Sequence, residues 1–447
     1  MSARVTRAIR IGLLGCGVVG QGVLRTLATR RDALTRRLGV PIEVRAVVAR
    51  DLDKERGEHV DRTILSSDPR KVLGDDEIDV VVEVMGGLDP AGEYVATAIE
   101  RGKSVVTANK FLLAERGTEL FERAEARGVD LSFEAAVCGG IPVIRVLREA
   151  LVSDNVVALR GIVNGTSNYI LSRMDEERLD FDVALAGAQA AGYAEADPSL
   201  DVNGGDAAHK LTILATLAFG AKVSPSQIHV EGIEHVSATD MRMAARFGYV
   251  IKLLAIGRML PTAGTGPAAL DLRVHPALVP RTSVLASISG ALNAITIEGE
   301  SLGPCMLSGY GAGAMPTAMS VVSDIVDVGR NLLTGSRGRV PSRGVESESL
   351  AAREVRDAGH HTGPYYLRFS VLDRPGVLAR IAGVLGAFDV SIGQMVQERR
   401  ATDREEPVDV VMLTHAAREA NIRSALREIH MLSGIAQPAR AIRIEEG

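Results

Sequence analysis

The feature that most constrains this chain is a short apolar run, Ile9–Leu14, that opens directly into Gly15-Cys16-Gly17-Val18-Val19-Gly20. Behind the glycines, Val23, Leu24, Leu27, Leu34 and Leu38 recur at roughly helical spacing, and a second run of strand character, Ile42–Ala49, follows. Strand, GxGxxG, helix and strand in that order is the context in which such glycines cradle a phosphate instead of making a plain turn. Gly15 permits the tight turn, Gly17 lets a pyrophosphate approach the backbone, and Gly20 lets helix and strand pack closely. The pyrophosphate then sits at the helix N-terminus beside Val18 and Val19, where free N–H groups and the helix dipole favour negative charge. The expected ligand is a dinucleotide.

The end of the second strand bears on which one. Arg50 there can stack on adenine and pair with a 2′-phosphate, and Lys54 adds charge, which favours NADP. Asp51 is of the type that holds ribose hydroxyls in NAD-binding folds, so NAD stays open. Asp79–Val84, Ser104–Thr107 and Leu131–Val137 are further predicted strands, with helices near Pro90–Arg101 and over Phe111–Ala126. Apolar strands alternating with helices predict a parallel sheet covered on both faces, a Rossmann domain over residues 1–153. Ligands of such sheets bind beyond the carboxyl ends of the strands, and Lys110 stands at one of them.

Composition narrows the partners. A chain of 447 residues exceeds one hydrophobic core and divides into several domains. With 51 Lys and Arg against 56 Asp and Glu, and aromatics at 3%, nothing favours nucleic acid or an anionic membrane. Cys16, Cys138 and Cys305 are far apart and lack metal-ligand spacing, which fits a reducing, cytoplasmic setting. No segment approaches the roughly 20 apolar residues a membrane-spanning helix needs.

From about Asn155 the pattern changes. Val156–Val163, Tyr249–Met259, Ala269–Val274 and Asn293–Ile297 are predicted strands of a second, mostly antiparallel sheet with helices on one face, giving an α/β substrate domain over residues 154–314. A polar stretch from Gly192 through Glu195, Asp197 and Asp201 reaches Asp206-Ala207-Ala208-His209-Lys210 at a helix start. Asp206 and Lys210, at i and i+4, share one helix face. A lysine ammonium there can stabilise a nascent alkoxide and hand it a proton, while carboxylates hold a substrate ammonium. The bland counterpart is a surface ion pair at a helix start.

The segments GLLGCGVVG, VVEVMGG, VVTANK, FEAAVCGGIPVI, NGTSNYIL, GYAEADPSLDVNGGDAAHKLTIL and LSGYGAGAMPTAMSVVSDIVD together resemble the homoserine dehydrogenase family, from about Ile9 to Leu333. The resemblance implies NAD(P)H-dependent reduction of L-aspartate 4-semialdehyde to L-homoserine, in threonine, methionine and isoleucine biosynthesis. It implies Lys210 as proton donor and Lys110 as the cofactor-cleft lysine beside the substrate, with either able to deliver the proton. Glu195 and Asp206 become the homoserine-binding carboxylates, with Asp201 in support. Gly192 and Gly309 are expected at the cofactor, Gly309 in a loop returning over it, followed by a helix rejoining the first domain (315–335). Glu134 and the backbone oxygens of Val137, Gly139 and Ile141 resemble the family's monovalent-cation loop, implying structural sodium. The substrate domain is also implied to dimerise, giving a homodimer or homotetramer.

Residues 336–363 have the composition of a linker. Beyond them, predicted strands at Tyr365–Val371, Val390–Gln397, Val408–Thr414 and Ala439–Ile444, with helices at Leu378–Phe388 and Ala420–Leu432, make a βαββαβ order resembling an ACT domain over 364–447. That resemblance implies feedback control by an amino acid, L-threonine being the expected effector. Two other functions compete: an acylating semialdehyde dehydrogenase with Cys138 as nucleophile, and a non-catalytic NADP-binding sensor.

Overall fold

The computed structural model describes residues 7–261, 267–397 and 407–445. Strands β1 (Ile9–Leu14), β2 (Ile42–Val48), β3 (Leu65–Ser66), β4 (Val80–Glu83), β5 (Ser104–Thr107) and β6 (Leu131–Ser132) form a six-stranded parallel sheet in the order β3-β2-β1-β4-β5-β6. Ile11, Leu13, Val80 and Val82 face helices α1 (Val18–Thr29) and α6 (Ala314–Thr334), whereas Leu14, Val81 and Val105 belong to the core under Ala91–Glu100 and α2 (Lys110–Arg127). Burial on both faces explains why these strands lack polar alternation. Strand order reverses between β1 and β4, which opens the crevice for a dinucleotide at their carboxyl ends.

Two local expectations change. The first helix breaks at Arg30 and restarts as Arg31–Leu38. The strand expected to reach Val137 stops at Ser132 and turns through Glu134–Ala136, because Glu134 is drawn into other bonds: its carboxylate accepts from Ile144 N–H and Arg145 N–H, and its own N–H donates to Asp324.

The second sheet comprises β7 (Val156–Ile162), β8 (His229–Val230), β9 (Tyr249–Met259), β10 (Leu270–Pro280), β11 (Leu292–Gly299) and β12 (Gly303–Tyr310). Its order is β12-β11-β7-β9-β10, antiparallel throughout, with β8 added in parallel to β10. Helices α3 (Gly165–Glu177), α4 (Gly205–Phe219) and α5 (Ala238–Arg246) pack on β9. Strand β12 was not expected from the sequence, since Gly303, Pro304 and Gly309 disguise it. Gly309 therefore lies in a paired strand opposite Asn293, and the returning loop is Gly311–Gly313, just before α6.

The C-terminal part has the expected βαββαβ order: Tyr365–Leu372, Val377–Ala387, Ile392–Gln397, Pro407–Thr414, Glu419–His430 and Ile435–Ile444. Its sheet is not separate. The last strand pairs in parallel with β10 through Ala277↔Arg443 and Leu278↔Ile444, so one ten-stranded sheet runs through both regions. The segment expected as a linker is pinned as well, with Ala351 N–H donating to Gly220 O and Arg356 N–H to Leu270 O. Among the described residues, no helix is long and apolar enough to cross a membrane.

Candidate active site

The glycine turn has the geometry its three glycines demand. Gly15 adopts φ +106°, and a Cβ there would fall 2.8 Å from Val84 O. At Gly20 a Cβ would lie 2.3 Å from Gly15 O, so only hydrogen lets α1 close on the turn. At Gly17, the N-cap of α1, a Cβ would meet nothing within 4 Å. That opening, with Val18 exposed and Val19 half-buried beside it, is where a pyrophosphate can reach the first amides of α1.

Arg50 and Lys54 are exposed at the end of β2. Asp51 is occupied by the loop itself, accepting from Asp53 N–H at 2.9 Å and Lys54 N–H at 3.0 Å. Arg56, which sequence reading missed, fastens this loop to the glycine turn by donating to Asp51 O and Cys16 O. No short motif marks it, because both acceptors are backbone.

The next strand ends build a shelf beside that turn. Glu83 is buried at the end of β4 and accepts from the N–H groups of Met85 and Gly86 and from the Thr107 hydroxyl. Burial pushes its carboxyl up, and those hydrogen bonds oppose the rise. Asn109 caps α2 through Leu112 N–H and ties it to Gly87 O. This fixes Lys110 at the first position of α2, two strands from the glycine turn, or about 10 Å at ordinary strand spacing.

From the other domain, Asp206 and Lys210 emerge in the first turns of α4. Lys210 Nζ donates to Asp206 Oδ2 at 2.7 Å and to Val163 O at 2.6 Å, at the end of β7. Lys110 Nζ lies 3.0 Å from Asp206 Oδ1, so one carboxylate bridges lysines from two domains. Asn164, the N-cap of α3, donates to both Asp206 Oδ2 and Asp201 Oδ1 at 2.7 Å. Burial alone would raise Asp206, but Lys210 and Lys110 hold it well below the usual carboxylate range. Burial would lower Lys210, yet Asp206 keeps it above its ordinary value. Burial raises Asp201, with Asp206 adding repulsion. The Lys110 side chain is 41% exposed and that of Lys210 only 9%, so the cluster opens to solvent on the Lys110 side.

Not every expected residue joins the cluster. Glu195 lies on an exposed loop and Gly192, at φ +76°, in the turn before it. The Glu195 carboxylate makes no hydrogen bond or ion pair with Asp206 or either lysine, whose pairs are with one another. Asn164 was overlooked as a site residue; its signal was an amide directly after the predicted strand Val156–Val163.

The Glu134 loop is next to this site. Val137, Gly139 and Ile141 follow it in an almost fully buried turn. Gly139 O accepts from Ser320 Oγ and Ile141 O from Val143 N–H, whereas no donor among the described residues reaches Val137 O. Burial and the Glu134 charge push Asp324 up to about 7. The Glu134 and Asp324 carboxylates each already accept donors, including the Arg145 guanidinium at Asp324, so Val137 O is the oxygen of this loop that is left to meet a cation. Cys138, at φ +51°, is sealed beside them, and burial pushes its thiol up, away from the thiolate a nucleophile requires.

A dinucleotide cradle on a parallel sheet, facing a lysine–carboxylate cluster across a domain junction, defines a nicotinamide-dependent oxidoreductase. A curated homoserine dehydrogenase of Neisseria gonorrhoeae is 40% identical over 440 residues, covering 98% of this chain and 99% of the relative. The chain belongs to the homoserine dehydrogenase family. Family models agree: "Homoserine dehydrogenase, NAD binding domain" matches residues 15–134, "Homoserine dehydrogenase" 142–326 and "ACT domain" 365–430. The homoserine dehydrogenase of Corynebacterium glutamicum is 42% identical, over 93% of this chain and 91% of its own. Among solved structures, a homoserine dehydrogenase from Thiobacillus denitrificans superposes with TM-score 0.91 at 43% identity, covering 99% of both chains. A hyperthermophilic archaeal homoserine dehydrogenase in complex with NADPH gives 0.60 at 26% identity, over 72% of this chain and 97% of that one.

Proposed function

We propose that the chain reduces L-aspartate 4-semialdehyde to L-homoserine, with Lys210 and Lys110 serving the proton step. The carrying observation is Asp206, a buried carboxylate that holds both ammonium groups at the mouth of the cradle. A bound reduced nicotinamide supplies hydride to the aldehyde carbon. An ammonium has three donors, and Lys210 uses two on Asp206 and Val163 O. The third is left for the carbonyl oxygen, which gathers negative charge as the C–H bond forms. Lys110, the more exposed, is the second candidate donor and the one that exchanges protons with solvent. Asp201 and Asp206 provide the negative charge for the substrate ammonium, and Glu195 serves there only if its loop folds inward on binding.

Gly15, Gly17, Val18, Val19 and Gly20 hold the pyrophosphate, with Gly192 assigned a supporting place at the cofactor's edge and the place expected of Gly309 passing to the Gly311–Gly313 loop. NADP is the preferred cofactor: Arg50 and Lys54 are exposed at the ribose end, and Asp51 is engaged by its own loop. Glu134 with the carbonyls of Val137, Gly139 and Ile141 holds a structural monovalent cation, sodium fitting the hard oxygen donors. The ACT region senses an amino acid, L-threonine being the candidate, and the working form is a cytoplasmic homo-oligomer.

Nicotinamide absorbance, followed with aspartate semialdehyde, NADPH or NADH, and L-threonine present or absent, tests the assignment. Substrate-dependent oxidation, faster with NADPH and slowed by threonine, is expected; no oxidation with either cofactor overturns it. A rise in Tm on adding sodium chloride, absent with choline chloride and in Glu134→Gln, tests the cation.

A further inference from the structure

Helix α4 starts on a floor made by another part of the chain. Ile233 N–H donates to Val202 O at 2.8 Å. Gly232 packs so closely that a Cβ there would lie 2.4 Å from Val202 O and 2.7 Å from Asn203 Cα. Gly204, which precedes α4 at φ +86°, rests against Val230, Val274 and Glu231 O. Segment 230–233 therefore sets the height and tilt of 201–206, and with them the Asp201 and Asp206 carboxylates that share the Asn164 amide.

The same segment is gripped from the C-terminal domain. Arg443, on its last strand, donates to both carboxylate oxygens of Glu231, at 3.0 and 2.8 Å. Its remaining donors hold Glu419, which also takes the Tyr365 hydroxyl. His229, Glu231 and Glu419 have the spacing of a metal site, but the guanidinium already fills the space between them.

We propose that Arg443 and Glu231 are positioning residues for the reaction, acting through Gly232, Ile233 and Val202 on Asp201 and Asp206. The inference rests on the roles assigned above to Asp206 and Lys210. A shift of the last strand reaches the proton-delivering cluster through one ion pair and three consecutive backbone contacts, without passing through the dinucleotide cradle. A bidentate arginine–carboxylate pair suits this role because its planar geometry transmits orientation as well as charge.

The test compares Glu231→Gln, which keeps the volume and one hydrogen bond, with Glu231→Ala and Gly232→Ala in the full chain. Small misplacements of reacting groups are costly, so kcat is expected to fall about threefold in Glu231→Gln and about tenfold or more in the other two. KM for the reduced cofactor should stay within about twofold of the parent, as the cradle is not on the route. A lowered Tm with unchanged kcat in any soluble variant overturns the proposal, as does a matching rise in cofactor KM. Should both alanine variants fail to fold, Glu231→Gln alone decides. Lys210→Ala run alongside separates the two readings: if it keeps full activity, the assignment of the cluster fails, whatever happens at Glu231.

Discussion

Two of the buried charge clusters among the described residues have similar make-up and differ in the chemistry of their cations. Around Asp206 the cations are Lys210 and Lys110; around Glu445 and Asp271 they are Arg258 and Arg273. Both clusters balance their charge and both join two regions of the chain. An arginine keeps its proton at every accessible pH, so the second cluster can orient but cannot exchange. A lysine can give its proton up, and the first cluster opens to solvent along the partly exposed Lys110. Burial, pairing and a spare donor thus do not distinguish a site from a strut, since Arg273 Nη2 and Arg258 Nε are also without a hydrogen-bond partner; a cation able to give up its proton does.

Replacing a cation in each cluster should separate stability from turnover. Arg273→Met leaves Asp271 and Glu445 buried with less compensation, and stability is expected to fall by about 3–5 kcal/mol in denaturant unfolding followed by circular dichroism. Any loss of kcat in the molecules that remain folded should stay within about tenfold, the range expected of a displaced positioning group. Lys210→Ala should do the reverse: kcat falls about 100-fold or more, in the range of a lost general acid, while reduced-cofactor affinity by fluorescence titration holds.

Asp206→Asn sharpens the contrast through pH. With the carboxylate gone, burial is the main influence left on Lys210, so its ammonium loses the proton at lower pH. The alkaline limb of the kcat profile should move towards neutrality, with a plateau about tenfold lower. Stability carries the opposite sign. The lowered carboxylate pKa of Asp206 stabilises the fold above the ordinary carboxylate value, and that contribution is lost as pH falls through the lowered one. The Asn variant lacks this contribution, and its acid unfolding should be shallower by that amount. The smallest effect is expected at Cys138→Ala, with turnover within about twofold of the parent, because a sealed thiol has no part in the proton step. Complete loss of activity there would restore the thiol mechanism.

What the sequence disclosed follows from the range of each constraint. Gly15, Gly17 and Gly20 were legible because the demands on a tight turn are local. Asp206 and Lys210 were legible as an i, i+4 pair on one helix. The Lys110–Asp206 contact joins residues far apart in the chain, so no spacing rule exposes it; the strand end placed Lys110 at the cleft, and only the family resemblance gave it a role beside the substrate. Asn164 escaped because its amide donates to Asp201 and Asp206, which lie on two other elements far along the chain. Strand β12 was hidden by glycines and a proline tolerated at the sheet's margin. The fusion of the two sheets was invisible for another reason: it depends on two residue pairs between β10, where Pro276 and Pro280 argue against a long strand, and the last strand.

That shared ladder has a bearing on how the protein can be dissected. Strand β8 protects β10 only at Arg273 and Val274, and the last strand protects Ala277 and Leu278. Cutting away the C-terminal domain would strip that rim and leave backbone donors and acceptors ready to recruit another chain. A truncated protein would then be prone to clump through that edge, and its loss of activity would report on solubility before it reported on feedback.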